Sequence, residues 1–184
     1  MTMELNRHQF ENAARLAAFV IVDPCKSHLV AGLGPNRSAM AGILSNARRA
    51  LQQARALGLP VAIIRSDDAG QSAWIHGFEP RREDALLRKP ALSCYSNPYF
   101  DDIVQRAAGR IVLCGFLGEG GSVATIAGAI HAGHAVTVLR DATLDGAADP
   151  AASSLLRYAT AYADLDIAAE STSAWIASAK DEGT

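Results

Sequence analysis

The chain's richest concentration of chemically suggestive residues is Gly118-Glu119-Gly120-Gly121-Ser122, which follows the apolar run Ile111–Cys114 and precedes a helix-period stretch from Val123 to Ala132. Three glycines at such a place either admit a ligand against bare backbone or take φ angles closed to other residues. N–H groups entering a helix also suit an oxyanion or a carboxylate. Two side chains of opposite charge close other apolar runs, Asp23 ending AAFVIVD and Lys89 ending the short run from Leu86. Open parallel sheets bind ligands beyond the carboxyl ends of their strands, so chemistry is expected at Asp23, Lys89, the Gly115–Ser122 loop and Asp141.

Other reactive residues offer less. The three cysteines, Cys25, Cys94 and Cys114, are an odd number without metal-type spacing, which points away from a disulfide framework and toward a reducing compartment. Cys114, inside an apolar run, reads as a buried strand residue. Ser122 is a displaced-nucleophile candidate only if it shares the direction of its neighbour, and adjacent positions at a helix start diverge. His8, His28, His76, His131 and His134 show no paired ligand spacing, so no metal is expected.

The elements that must position these groups alternate. Strand-like runs at Ala17–Asp23, Val61–Arg65, Leu86–Lys89, Ile111–Cys114, Ala135–Leu139 and near Leu165–Ala169 are separated by helix-period segments. Met40, Ile43, Leu44, Ala47, Leu51 and Ala54 share one face of a helix that Gly58 ends. Asn97-Pro98 is an N-cap followed by proline at the first helical position, and Asp149-Pro150 opens another capped helix to about Tyr162. Between the second and third strands, Ser66–Asp84 has no period and reads as a loop over the pocket. The expectation is one domain over residues 1–184, an α/β three-layer doubly wound sandwich with a mostly parallel six-stranded sheet.

Composition sets the class. A chain of 184 residues can bury roughly 70% of its unfolded surface. A net charge of -2 with no basic run beyond Arg48-Arg49 and Arg81-Arg82 argues against nucleic acid. No segment reaches the roughly 18 apolar residues of a membrane span, and the mixed-charge N-terminus lacks a secretory apolar core. A cytoplasmic protein with a small-molecule substrate, no nucleic-acid or membrane partner and no cofactor is expected.

Three blocks resemble the isochorismatase-like (cysteine hydrolase) superfamily, in the right order and across nearly the whole chain. VIVDPCKSHL resembles the block that supplies the family's aspartate and assigns that role to Asp23. KPALSCYSNPYF, with Ser93-Cys94-Tyr95 at fixed spacing after the lysine, resembles the lysine block and assigns that role to Lys89. VLCGFLGEGGSVATIAGAIHAGHAVTVLRDA resembles the nucleophile loop, helix and next strand, and there Gly121 occupies the position of the catalytic cysteine. Gly118 replaces the usual loop threonine, and Cys25 replaces the glutamine often found after the aspartate. The nicotinamidase-type metal block is missing, since Ser66-Asp67-Asp68 has no histidine before His76.

That departure divides the family's chemistry. Members with the cysteine resemble one another in using Asp and Lys to activate a thiolate against an amide. Members that hydrolyse isochorismate are similar to this chain in carrying glycine, and the resemblance implies protonation of a vinyl ether by the aspartate, addition of water and release of pyruvate. A general-acid carboxyl beside an ammonium is under opposing influences, which a bound substrate carboxylate could offset. Ala91-Leu92 stands where isochorismate hydrolases proper have Arg-Tyr, which points away from isochorismate itself. The resemblance further implies a cis Leu117-Gly118 peptide and a homo-oligomer, dimer or tetramer.

The resulting expectation is catalysis by Asp23 and Lys89 with Gly121, and substrate binding by Leu117, Gly118, Glu119, Gly120 and Ser122, with Trp74, Phe78 and Tyr95 as pocket walls. Two rivals stand beside it. One is a catalytically silent binding protein of the same fold. The other is a nucleotide-binding protein using Gly118–Gly121, with Asp141 about 20 residues on as a ribose-binding acid.

Overall fold

The run AFVIV forms strand β1 (Ala18–Val22), buried at every position as a strand covered on both faces must be. In the computed structural model of the chain it pairs on one side with β2 (Val61–Ser66), which pairs with β3 (Ala85–Lys89). On the other side come β4 (Arg110–Phe116), β5 (Ala135–Leu144) and β6 (Ile167–Glu170), every pair being parallel. The order β3-β2-β1-β4-β5-β6 reverses direction between β1 and β4, which is the switch point where open α/β sheets leave a crevice. The structure describes residues 17–32, 37–144, 157, 161 and 163–181. The helix expected from Asp149-Pro150 lies largely outside them.

Strand side chains alternate between two cores. On one face Val20, Val22, Ile64 and Leu113 pack with Phe100 and Val104 of α3 (Pro98–Arg106) and Ile126 and Ala129 of α4 (Gly118–Ala132). On the other Phe19, Ile21, Ile63 and Val112 meet Met40, Ala47, Leu51 and Ala54 of α2 (Arg37–Ala56) and Trp175 of α5 (Thr172–Asp181). The expected three layers follow, and the apolar face read from Met40 to Ala54 is the one α2 buries. Asn97 caps α3 as expected, its side chain accepting from Tyr99 N at 2.9 Å, with Pro98 at the helix start. No helix among the described residues is long and apolar enough to cross a membrane.

The residues after Asp23 form a short helix, α1 (Lys26–Gly32), which the sequence pattern does not mark. Three local readings are corrected. Helix α4 begins at Gly118, so the glycine segment is its first turn and not a loop. A Cβ on Gly120 would lie 3.2 Å from Leu92 Cδ1, the movable tip of an exposed side chain. Strand β5 runs on to Leu144 through a register shift opposite Leu113 and Gly115, so Asp141 lies within it and not at its end. Among the described residues no peptide bond is cis; Gly118, at φ 64°, turns the chain into α4 with Leu117-Gly118 trans.

One glycine inside α4 is required by a neighbour. A Cβ on Gly128 would stand 2.6 Å from Tyr95 Cδ2 and 3.0 Å from its Cγ. That ring is held edge-on to Phe100 and by a 2.8 Å hydrogen bond to His134 Nδ1. Gly128→Ala is therefore expected to lower the unfolding free energy by about 1–3 kcal/mol, overpacking outweighing the gain in helix propensity. Urea denaturation checks it, and a stabilised variant would show that the Tyr95 ring gives way freely.

Candidate active site

At the end of β1 the chain turns on Asp23, whose φ of 51° is uncommon for any residue with a side chain. Its N–H still donates to Ile64 O at 2.8 Å, so the turn begins while the residue remains tied to β2. Ser66, the last residue of β2, donates its N–H to Asp23 Oδ1 at 2.5 Å and its hydroxyl to Oδ2. Register then supplies the cation: Ser66 pairs with Lys89 across β2 and β3, and Lys89 Nζ stands 3.7 Å from Asp23 Oδ2. All three residues are buried, Asp23 being 2% exposed and Lys89 6%.

The structure thus brings together the aspartate and lysine that the sequence separates by more than sixty positions. Removing one partner of such a pair strands a buried charge, so the two must be read as a unit. Sequence reasoning misses Ser66, because its strand reads as ending at Arg65. It also misses His28, which projects from α1 to place Nε2 3.9 Å from Asp23 Oδ2. The only sequence signal for His28 is five-residue spacing from Asp23, which means something only once α1 is known to fold back over the strand end.

Beside Asp23 lies the start of α4. Val22 pairs with Gly115, and a Cβ on Gly115 would fall 2.4 Å from Val22 O, which shows how closely the two strand ends approach. Among the described residues no side chain caps α4, leaving its first N–H groups, those of Gly118 to Gly121, without side-chain partners. Gly121 is buried under the turn that follows Lys89. A Cβ there would meet Leu92 O at 3.4 Å and Leu117 Cβ at 3.9 Å, both ordinary contacts. Space alone does not dictate glycine at that position.

Several expected ligand contacts are otherwise engaged. Leu117 is buried in the core and its N–H donates to Leu144 O at 3.1 Å. Ser122 is wholly buried and its hydroxyl donates to Gly118 O at 3.0 Å, which closes it as a displaced nucleophile. Phe78 is fully buried among the α2-side core residues with Arg48 over its ring, and is not a pocket wall. Tyr95 packs on the α3–α4 core and reaches His134, which precedes β5 at the amino ends of the strands, away from the carboxyl ends where Asp23 lies. Trp74 is half-buried, its ring 4.1 Å from the Arg65 guanidinium and its backbone bridged to Cys25. The side chain of Glu119 lies outside those described. Asp141 accepts from Thr172 N and Oγ1, each at 2.7 Å, so it caps α5 and is not free for a ribose.

The loop expected over the pocket is anchored to the residues after Asp23. Lys26 N–H donates to Ala73 O at 2.9 Å, and Ile75 N–H to Pro24 O at 2.9 Å. Arg65 also donates to Cys25 Sγ at 3.5 Å.

All three cysteines are buried, and burial pushes each thiol up, Cys94 to about 11. None is therefore a thiolate at neutral pH, the form a cysteine nucleophile needs. The folded protein is expected to leave all three thiols unreacted with Ellman's reagent at pH 8, and denaturant to release all three. Fast modification of one thiol in the folded state would contradict this arrangement.

A sequence model of the isochorismatase domain matches residues 17–170. Among solved structures, the fold is similar to an isochorismatase from Pseudomonas putida, with 22% identity, a TM-score of 0.70 and coverage of 87% of this chain and 90% of that one. A cysteine hydrolase from Pseudomonas syringae pv. phaseolicola gives 19% identity and a TM-score of 0.72, covering 91% of this chain and 94% of that one. An N-carbamoylsarcosine amidase from Thermoplasma acidophilum gives 21% and 0.64, covering 85% of this chain and 96% of that one. At these identities the likeness is one of fold. No curated protein gives a significant match.

Proposed function

The chain belongs to the isochorismatase family, and from that premise we propose that it hydrolyses a small anionic metabolite without a cysteine nucleophile, Asp23 serving as general acid. The observation that carries this is the buried Asp23–Lys89 pair at 3.7 Å, fixed by Ser66 at the switch point beside α4. Gly121 offers no thiol, and burial pushes the three thiols present upward, which supports a route other than attack on an amide through a thioester.

A carboxyvinyl ether fits the groups that remain. Lys89 and the uncapped N–H groups of α4 hold its carboxylate, which brings a negative charge to offset the ammonium beside Asp23. Asp23 protonates the terminal alkene carbon, water adds to the resulting oxocarbenium carbon, and the hemiketal collapses to pyruvate and an alcohol. The water gives up one proton for the one that Asp23 delivered, so the site returns to its starting state.

The test is a side-by-side assay of carboxyvinyl ethers, isochorismate among them, against amides including nicotinamide and N-carbamoylsarcosine. Pyruvate release that survives iodoacetamide is the expected result. Ammonia release that iodoacetamide abolishes would restore a thiol mechanism. Binding of the vinyl ethers without turnover would leave a silent binding protein.

A further inference from the structure

Among the described residues, His28 is the ionisable neighbour of Asp23 that also reaches solvent. Its side chain is 25% exposed while that of Asp23 is 2% exposed, and the two face each other at 3.9 Å through Nε2 and Oδ2. Oδ2 is also the oxygen that Lys89 approaches and that the Ser66 hydroxyl bonds. Among the described residues the charged group that faces the imidazole is Asp23 from β1, with Lys89 from β3 on the same carboxylate oxygen and Lys26 two residues earlier on its own helix. Its Nδ1 stands 3.5 Å from Ser27 Oγ, and its ring lies 6.5 Å from that of Phe116, two residues before Gly118. The imidazole is thus near both the Asp23 carboxylate and the end of β4.

Resting on the reading of Asp23 as general acid, we propose that His28 is the proton relay between solvent and Asp23. A carboxyl this buried cannot exchange its proton with water directly, and each turnover leaves it as carboxylate. The imidazolium passes its Nε2 proton to Oδ2, across one bridging water or a small rotation of the ring. The neutral ring then takes a proton from solvent through its exposed part, while the water that adds to the substrate releases one to solvent, and the count closes. His28 acts through Asp23 and makes no bond to the substrate.

Two measurements decide it. The first is turnover of the carboxyvinyl ethers by wild type, His28→Gln and His28→Ala over about pH 5–9. The relay predicts a kcat loss of about 100-fold in both variants with KM little changed, loss of the imidazole-dependent limb of the pH profile, and partial rescue of His28→Ala by free imidazole. The second is the spectrum of 15N-histidine protein with and without Asp23→Asn, in which the His28 ring signals should move more than those of exposed His131. Turnover that His28→Gln leaves intact, or loss that imidazole cannot rescue, overturns the relay alone. Ring signals indifferent to Asp23 also overturn it. Signals that move in a protein turning over no panel compound remove the catalytic reading and the relay together.

Discussion

Asp23→Asn is expected to lower kcat by about a thousandfold or more while the substrate still binds. Asparagine preserves the shape and can still accept from Ser66 N–H through Oδ1, so the turn after β1 survives. What it lacks is a proton to give, and Lys89, 6% exposed, loses its counter-charge. Stability should fall by about 3 kcal/mol for that second reason alone. The double variant Asp23→Asn/Lys89→Met separates the two effects. Removing the stranded ammonium should recover much of the stability and none of the turnover, as read by thermal melting and pyruvate release. An active Asp23→Asn protein would dispose of the acid role.

Gly115→Ala is expected to be the most damaging single methyl among the described glycines. A Cβ there would stand 2.4 Å from Val22 O and 2.7 Å from Val22 N, and both are backbone atoms with no rotamer to escape into. At φ 108°, the backbone is also closed to an L side chain. Relief requires β1 and β4 to separate where Val22 hands the chain to Asp23. A loss of at least about 4 kcal/mol follows, seen as a melting temperature lower by roughly 10 °C or as insoluble protein. A variant that melts like wild type would mean that the strand ends do not approach as described, and the site built on them would lose its frame.

The sequence makes the architecture legible where patterns are long. Six apolar runs correspond to six strands in the same order, and the Asn97-Pro98 signal marks a helix start correctly. It misleads where local chemistry and tertiary packing disagree. Gly118, Gly120 and Gly121 look like a loop because glycine disfavours helices, yet they form the first turn of α4, which Gly118 enters at φ 64°. Helix α1 is invisible in the sequence because seven residues give too short a period to count.

The site is legible in part for the same reason. Asp23 and Lys89 each end an apolar run and match blocks of a known family, so both can be named. Ser66 cannot, because its place on the Asp23 carboxylate comes from pairing between β2 and β3, which no local pattern records. His28 depends on a helix that the sequence does not announce. Phe78 shows the converse error: an aromatic near a motif can belong equally to a pocket or a core, and Phe78 lies in the core while the half-buried Tyr95 packs against it.

The most direct measurement is a crystal structure of Asp23→Asn with the carboxyvinyl ether that the wild type turns over. The predicted result is intact substrate with its carboxylate on Lys89 Nζ and the N–H groups of Gly118 to Gly121, and its alkene carbon against the amide that replaces the Asp23 carboxylate. Substrate bound at another place on the sheet, or attached covalently to Cys25, Cys94 or Cys114, would contradict the account.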